Sequence, residues 1–172
     1  MFKAYRCQIC GESYLGEMTP DRCPFCGAHE RYLLTAAEWM DYGAIELSEQ
    51  SREDCERALE LEMNNMAFYK CAAAVTENQV MQSFFKRLSK QEGEHAELIA
   101  EMMGVDEPEA PDVECSDDDY ENMKEAHRRE TRAIKFYQQV ARRAPELRVQ
   151  QVFSALTDVE NEHLMISGVF KH

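Results

Sequence analysis

The stretch QEGEHAEL, Gln91 to Leu98, sets Glu92 and His95 three residues apart in a run of helix formers. Near the C-terminus, ENEHL, Glu160 to Leu164, repeats the pair as Glu160 and His163. Residues i and i+3 share a helix face, so each pair presents a carboxylate beside an imidazole. One such pair is a common accident of helices; two raise the question of a shared site. The pairs stand 68 positions apart. The same shift carries Glu62 onto Glu130, Phe68 onto Phe136, Tyr69 onto Tyr137, Phe85 onto Phe153 and Leu88 onto Leu156. EMNNMAFY and ETRAIKFY are thus one element used twice, each ahead of a Glu-x-x-His helix.

Working outward, helical periodicity covers four segments, about 51–75, 78–103, 117–144 and 145–170. SRED at Ser51 reads as the N-cap of the first, Gly104 stops the second, and Pro145 suits the first turn of the fourth. Between the second and third lies GVDEPEAPDVECSDDD, whose two prolines no helix crosses easily. Two tight hairpins joined by one long connection make a four-helix bundle of ferritin-like connectivity. At about 1.5 Å per residue, Glu62 and Glu92 both lie roughly 21–24 Å from their shared turn, and Glu130 is level with Glu160 and His163 about Pro145.

Four glutamates and two histidines in one core need a counter-charge. One Glu from each of two helices, with Glu-x-x-His from the other two, is the ligand pattern of di-iron carboxylate bundles. Oxygen and imidazole donors suit iron or manganese, with zinc able to compete. Singly, each of these residues reads as a solvated helix position; the shared offset and equal heights favour a dinuclear metal site. Phe68, Phe84, Phe136 and Phe153 read as core. Tyr69 and Tyr137 sit two turns from Glu62 and Glu130 on the same face, where a hydroxyl can bond a ligand carboxylate. His127 reads as a non-ligand, and His29 and His172 carry no pattern.

The first 36 residues have a different texture. Cys7, Cys10, Cys23 and Cys26 form C-x2-C-x12-C-x2-C, with Gly11 and Gly27 after each hook. That spacing is a strong tetrahedral metal signal, open between iron and zinc. So short a segment buries little core, and the metal becomes part of its folding energy. Tyr5, Tyr14, Phe25 and Tyr32 are expected to cover it. The organisation expected is a metal module over 1–36, a linker over 37–50 with room for one helical turn, and the bundle over 51–172. The odd remainder of Cys55, Cys71 and Cys115 argues against a disulfide framework and for a reducing compartment. A net charge of -14 disfavours nucleic acid. No apolar run approaches the roughly 18 residues of a membrane span, and no secretory signal opens the chain, so a cytoplasmic protein is expected.

With both halves read, YRCQICGESYLGEMTPDRCPFCGAHERYLL and the four helices together resemble rubrerythrin over nearly the whole length. The module stands first, which is similar to the reverse rubrerythrins. The resemblance implies a rubredoxin-like Fe(SCys)4 centre passing electrons to a di-iron centre that reduces hydrogen peroxide in oxidative-stress defence. By matching position, Glu62 and Glu130 become terminal ligands, Glu92 and Glu160 bridges, and His95 and His163 the caps of one iron each. It also implies a homodimer or larger oligomer, with the module of one chain near its partner's di-iron site. The height of the site in the bundle led to the same expectation, since a module at the bundle's end would be about 20 Å away. One departure stands out: the best-known rubrerythrins carry a further glutamate where this chain has Ala133. The chain shows no G-x-G-x-x-G, so an external reductase or rubredoxin is expected to supply electrons. A ferroxidase and a zinc-stabilised scaffold are the rival readings.

Overall fold

The computed structural model describes residues 1–35 and 37–169. Ala36, at the expected edge of the module, and Phe170 and His172 at the C-terminus lie outside these. Three short strands come first: β1 (Lys3–Cys7), β2 (Ser13–Gly16) and β3 (Leu33–Thr35). They form an antiparallel sheet in the order β2-β1-β3. Four helices follow, α1 (Glu49–Val75), α2 (Gln79–Met103), α3 (Asp119–Arg143) and α4 (Leu147–Val169). The fold is mainly α, a ferritin-like four-helix bundle preceded by a small cysteine module.

The helix ends follow local chemistry, with one shift from expectation. Ser48, not Ser51, caps α1, accepting the Ser51 N–H. The cause is distant in sequence: Glu146 accepts both the Ser48 N–H and the Ser51 hydroxyl, each at 2.5 Å. That draws the start of α1 onto the α3–α4 turn. Asn78 and Asp118 cap α2 and α3. Gly104, at φ 69°, ends α2 in the left-handed conformation, with Val105 N–H bonded to Ala100 C=O. Pro145 precedes α4 rather than opening it.

The crossover, residues 105–118, runs from the C-terminal end of α2 to the opposite end of the bundle. There Thr76 donates its hydroxyl to Asp119. Cys71 and Cys115 form a disulfide that pins this crossover to α1, with Cα atoms 6.0 Å apart. This corrects the expectation drawn from cysteine parity. The unpaired member of the three is Cys55, buried in α1, and only tertiary packing brings the other two together.

Linker residues 37–48 hold a single turn, in which the N–H groups of Glu38 and Trp39 bond Thr35 C=O. The linker then bonds Ile45 N–H to Met102 C=O at the bundle's end. From there the module lies back along the flank formed by α2 and α4. Arg148 near the start of α4 holds Gln8 C=O and Ile9 C=O, while Arg31 pairs with Asp158 and Arg22 with Glu162 further along. Arg87 of α2 donates to Pro24 C=O and Phe25 C=O. Cys7, Ile9, Ala28 and Leu33 share one apolar cluster with Ile99, Phe153 and Leu156, so module and bundle have a common interior. Tyr5 is buried in that cluster, and Tyr14, Phe25 and Tyr32 pack against it. No described helix is long and apolar enough to cross a membrane.

Candidate metal centres

In the module, β1 delivers Cys7, and each Cys-x-x-Cys hook closes the same way. Gly11 N–H bonds Cys7 C=O, and Gly27 N–H bonds Cys23 C=O. Both glycines have positive φ, 79° and 80°, which a side chain would strain. The Cys7–Cys26 and Cys10–Cys23 sulfurs stand 3.8 Å apart. A tetrahedron of metal–sulfur bonds of about 2.3 Å has edges of about 3.8 Å, so the four sulfurs are spaced for one ion. Hydrogen bonds from Cys10 and Cys26 hold the Cys23 thiol far below its ordinary value, and the same contact pushes Cys10 up.

In the bundle, Glu62 comes from α1, Glu92 and His95 from α2, Glu130 from α3, and Glu160 and His163 from α4. All six predicted side chains meet in the core, none more than 3% exposed. Their donor atoms form two sets, Glu62, Glu92, His95, Glu160 and Glu92, Glu130, Glu160, His163, each gathered within 4.8 Å. Glu92 and Glu160 belong to both. Several of these atoms lack a hydrogen-bond partner although buried: Glu62 Oε2, both Glu92 oxygens, His95 Nδ1, Glu130 Oε2 and Glu160 Oε1. Buried polar atoms are normally satisfied, so a cluster of orphans converging on one volume fits a pair of metal ions.

The electrostatics follow from this crowding. Burial, reinforced by the neighbouring carboxylates Glu92 and Glu160 respectively, lifts Glu62 and Glu130 well above the usual carboxylate range. Burial also opposes charge on the imidazoles, yet the carboxylates around them win. His95 is raised well above its ordinary value by Glu62, Glu160 and Glu92, and His163 is raised to about 10 by Glu160 and Glu92. Those same imidazoles hold Glu92 and Glu160 low against burial.

Tyr69 and Tyr137 are fully buried and both bond a ligand-set carboxylate. The pairing is crossed: Tyr69 of α1 donates to Glu130 of α3, and Tyr137 of α3 donates to Glu62 of α1 at 2.6 Å. His127 lies outside both sets, its Nδ1 3.2 Å from Ser167 Oγ. Ala133 is buried and adds no carboxylate.

Sequence reasoning missed how the two centres touch. His95 turns Nδ1 toward the carboxylates and Nε2 toward the module, where it donates to Cys26 C=O at 2.8 Å. His163 likewise has Nδ1 3.0 Å from Glu160 and Nε2 3.4 Å from Gln91 Oε1. Gln91 in turn lies against Gly27, where an added Cβ would stand 2.6 Å from its Nε2. The expectation of a module remote from its own site therefore fails. The linker doubles back and sets the second cysteine hook directly over the dinuclear site.

Two family models match the chain. One described as Rubrerythrin covers residues 53–166, and one described as Rubrerythrin, rubredoxin-like domain, covers residues 5–33. Reverse rubrerythrin-1 of Clostridium acetobutylicum is 26% identical over 113 residues, 59% of this chain and 62% of that protein. The chain thus matches somewhat under two thirds of the length of this curated relative. No solved structure gives a significant match. All three donor sets fit iron, one ion in the four-cysteine site and two in the bundle. The matched regions hold all ten of the side chains that make up these sets, and the chain belongs to the rubrerythrin family.

Proposed function

We propose that the chain reduces hydrogen peroxide to water, with electrons fed to the bundle site from the four-cysteine centre. The observation that carries this reading is the contact between Cys26 C=O and His95 Nε2. Iron storage needs no one-electron centre against a ligand of the dinuclear site; repeated reduction of a two-electron substrate does. Each peroxide takes two electrons and two protons and leaves as two waters. Two ferrous ions, when bound, supply the electron pair and Lewis acidity.

In this reading Glu92 and Glu160, common to both donor sets, would serve both metals, Glu62 and Glu130 would each serve one, and His95 and His163 would bind one metal each. The rest of the work belongs to the chain. Cys26 C=O fixes the proton of His95 on Nε2, which leaves Nδ1 free as a donor atom, and Gln91 Oε1 does the same for His163. Tyr69 and Tyr137 hold the terminal carboxylates in one orientation. The full burial of the carboxylates keeps bulk water from them. An external protein reductase or a rubredoxin refills the cysteine centre.

The test is peroxide consumption by anaerobically reduced, iron-loaded protein. Wild type should turn peroxide over with an added reductase. Glu92→Ala and Glu160→Ala should abolish turnover, since each removes a donor common to both sets. Full turnover in both variants, or oxidation of added ferrous iron by dioxygen outpacing peroxide consumption, would reject the proposal.

A further inference from the structure

Arg148 occupies an unusual place for a cation. It is half-buried at the start of α4 and reaches across to the first cysteine hook. Its two terminal nitrogens donate at 2.7 Å to Gln8 C=O and Ile9 C=O, the carbonyls between Cys7 and Cys10. Nη1 also donates to Gln151 Oε1 at 2.8 Å, and the Tyr42 ring lies 4.6 Å from the guanidinium carbon. Arg148 and Cys10 line one cavity of about 370 Å³. Among the described residues no carboxylate forms an ion pair with Arg148. Every hydrogen-bond partner it has is neutral; burial pulls its pKa down, and the Tyr42 phenol and then Cys7, Cys10 and Cys26 act in the opposite direction, the three cysteines being the groups that become thiolates on a metal. A charge withdrawn from water without a counter-ion is costly, so these thiolates are its electrostatic partner.

We propose that Arg148 is a positioning residue that raises the reduction potential of the four-cysteine iron centre. Four thiolates leave one net negative charge on a ferric ion and two on a ferrous ion. A fixed cation beside the hook stabilises the more negative, reduced state. The fork acts on the backbone as well. Peptide N–H and C=O groups point in opposite directions, so holding the two carbonyls outward turns the Ile9 and Cys10 N–H groups to the other side of the hook. The inference rests on iron in the module and is independent of which oxidant the bundle consumes.

The experiment is an anaerobic redox titration of the iron-loaded full chain, read at the visible bands of the ferric thiolate centre. Dithionite is the titrant, and dyes mediate. At a fixed ambient potential, Arg148→Gln should lower the reduced-to-oxidised ratio about tenfold, which is about 59 mV for a one-electron couple. Arg148→Lys keeps the charge and should recover most of that shift. Gln151→Glu sets a carboxylate against Nη1 without removing the arginine, and should lower the ratio in the same direction. Should Arg148→Gln fail to hold iron, Gln151→Glu decides alone. Unchanged potentials in the glutamine and Gln151→Glu variants, or a lysine variant that falls as far as the glutamine one, would overturn the proposal.

Discussion

Tyr137 donates its hydroxyl across the bundle to Glu62, and Tyr69 to Glu130, in places no water reaches. The sequence marks both tyrosines, because they stand two turns from a glutamate on the same face. It does not give the partner. Two turns are about 10.5 Å along a helix, too far for a hydroxyl to return to its own glutamate, so each reaches the level glutamate of the antiparallel neighbour. Tyr137→Phe leaves a buried carboxyl oxygen short of a donor; it should weaken metal binding about 10- to 100-fold and lower metal-free stability by about 1–3 kcal/mol. Chelator competition and chemical unfolding check the two effects, and no change in either would return the tyrosine to plain packing. Protons are the second residue-scale consequence. Without metal, Glu62 and Glu130 hold theirs, and both imidazoles are charged against Glu92 and Glu160. Two divalent ions must then displace about four protons, two per ion. Zinc affinity at the bundle site should fall about a hundredfold per ion for each pH unit below neutrality, measured by chelator competition. The metal-free chain has the opposite slope. A folded-state value raised above the unfolded one contributes stability that is complete below the unfolded value and lost as pH rises through the folded one. For His163 that window runs from about 6.5 to about 10, so the metal-free melting temperature should fall across it.

Among the elements, the four helices are legible because their period, Gly104 and the prolines of the crossover are local signals. The N-cap of α1 shifts by three residues because the partner of Ser48 and Ser51 is Glu146, remote in sequence though adjacent in space. The Cys71–Cys115 bond is illegible for the same kind of reason: neither cysteine belongs to a spacing pattern, and the crossover's path alone brings them together. That bond closes a separation of 44 residues. On the chain-entropy argument a loop of this length is worth about 4 kcal/mol. Cys115→Ser should lower the unfolding free energy by about that much in oxidising buffer. A thiol reductant should bring wild type down to the variant's level. Equal stability of the two proteins without reductant would show that the bond does not constrain the unfolded chain.

For the whole molecule, the two centres are separately visible in the sequence, and their contact is not. Ligand spacing and the repeat offset are properties of single segments. Docking depends on a linker that folds back at Ile45 and on a glycine, Gly27, that serves twice. Its positive φ closes the cysteine hook, and its missing Cβ lets the hook approach Gln91 and Val159. On the proposed function, a module held this way on its own bundle would pass its electrons within one chain. Mixing a Cys7→Ser, Cys10→Ser chain with a Glu92→Ala, Glu160→Ala chain should therefore restore no peroxide turnover, even after refolding together. Rapid mixing of fully reduced protein with hydrogen peroxide reads the coupling itself, through the return of the red colour of the ferric cysteine centre. Wild type should regain it at a rate independent of protein concentration, and the Glu92→Ala, Glu160→Ala chain should regain it many-fold more slowly. A rate that climbs with protein concentration, or equally fast recovery in the chain without its bundle metals, would contradict delivery from the docked centre to the dinuclear site.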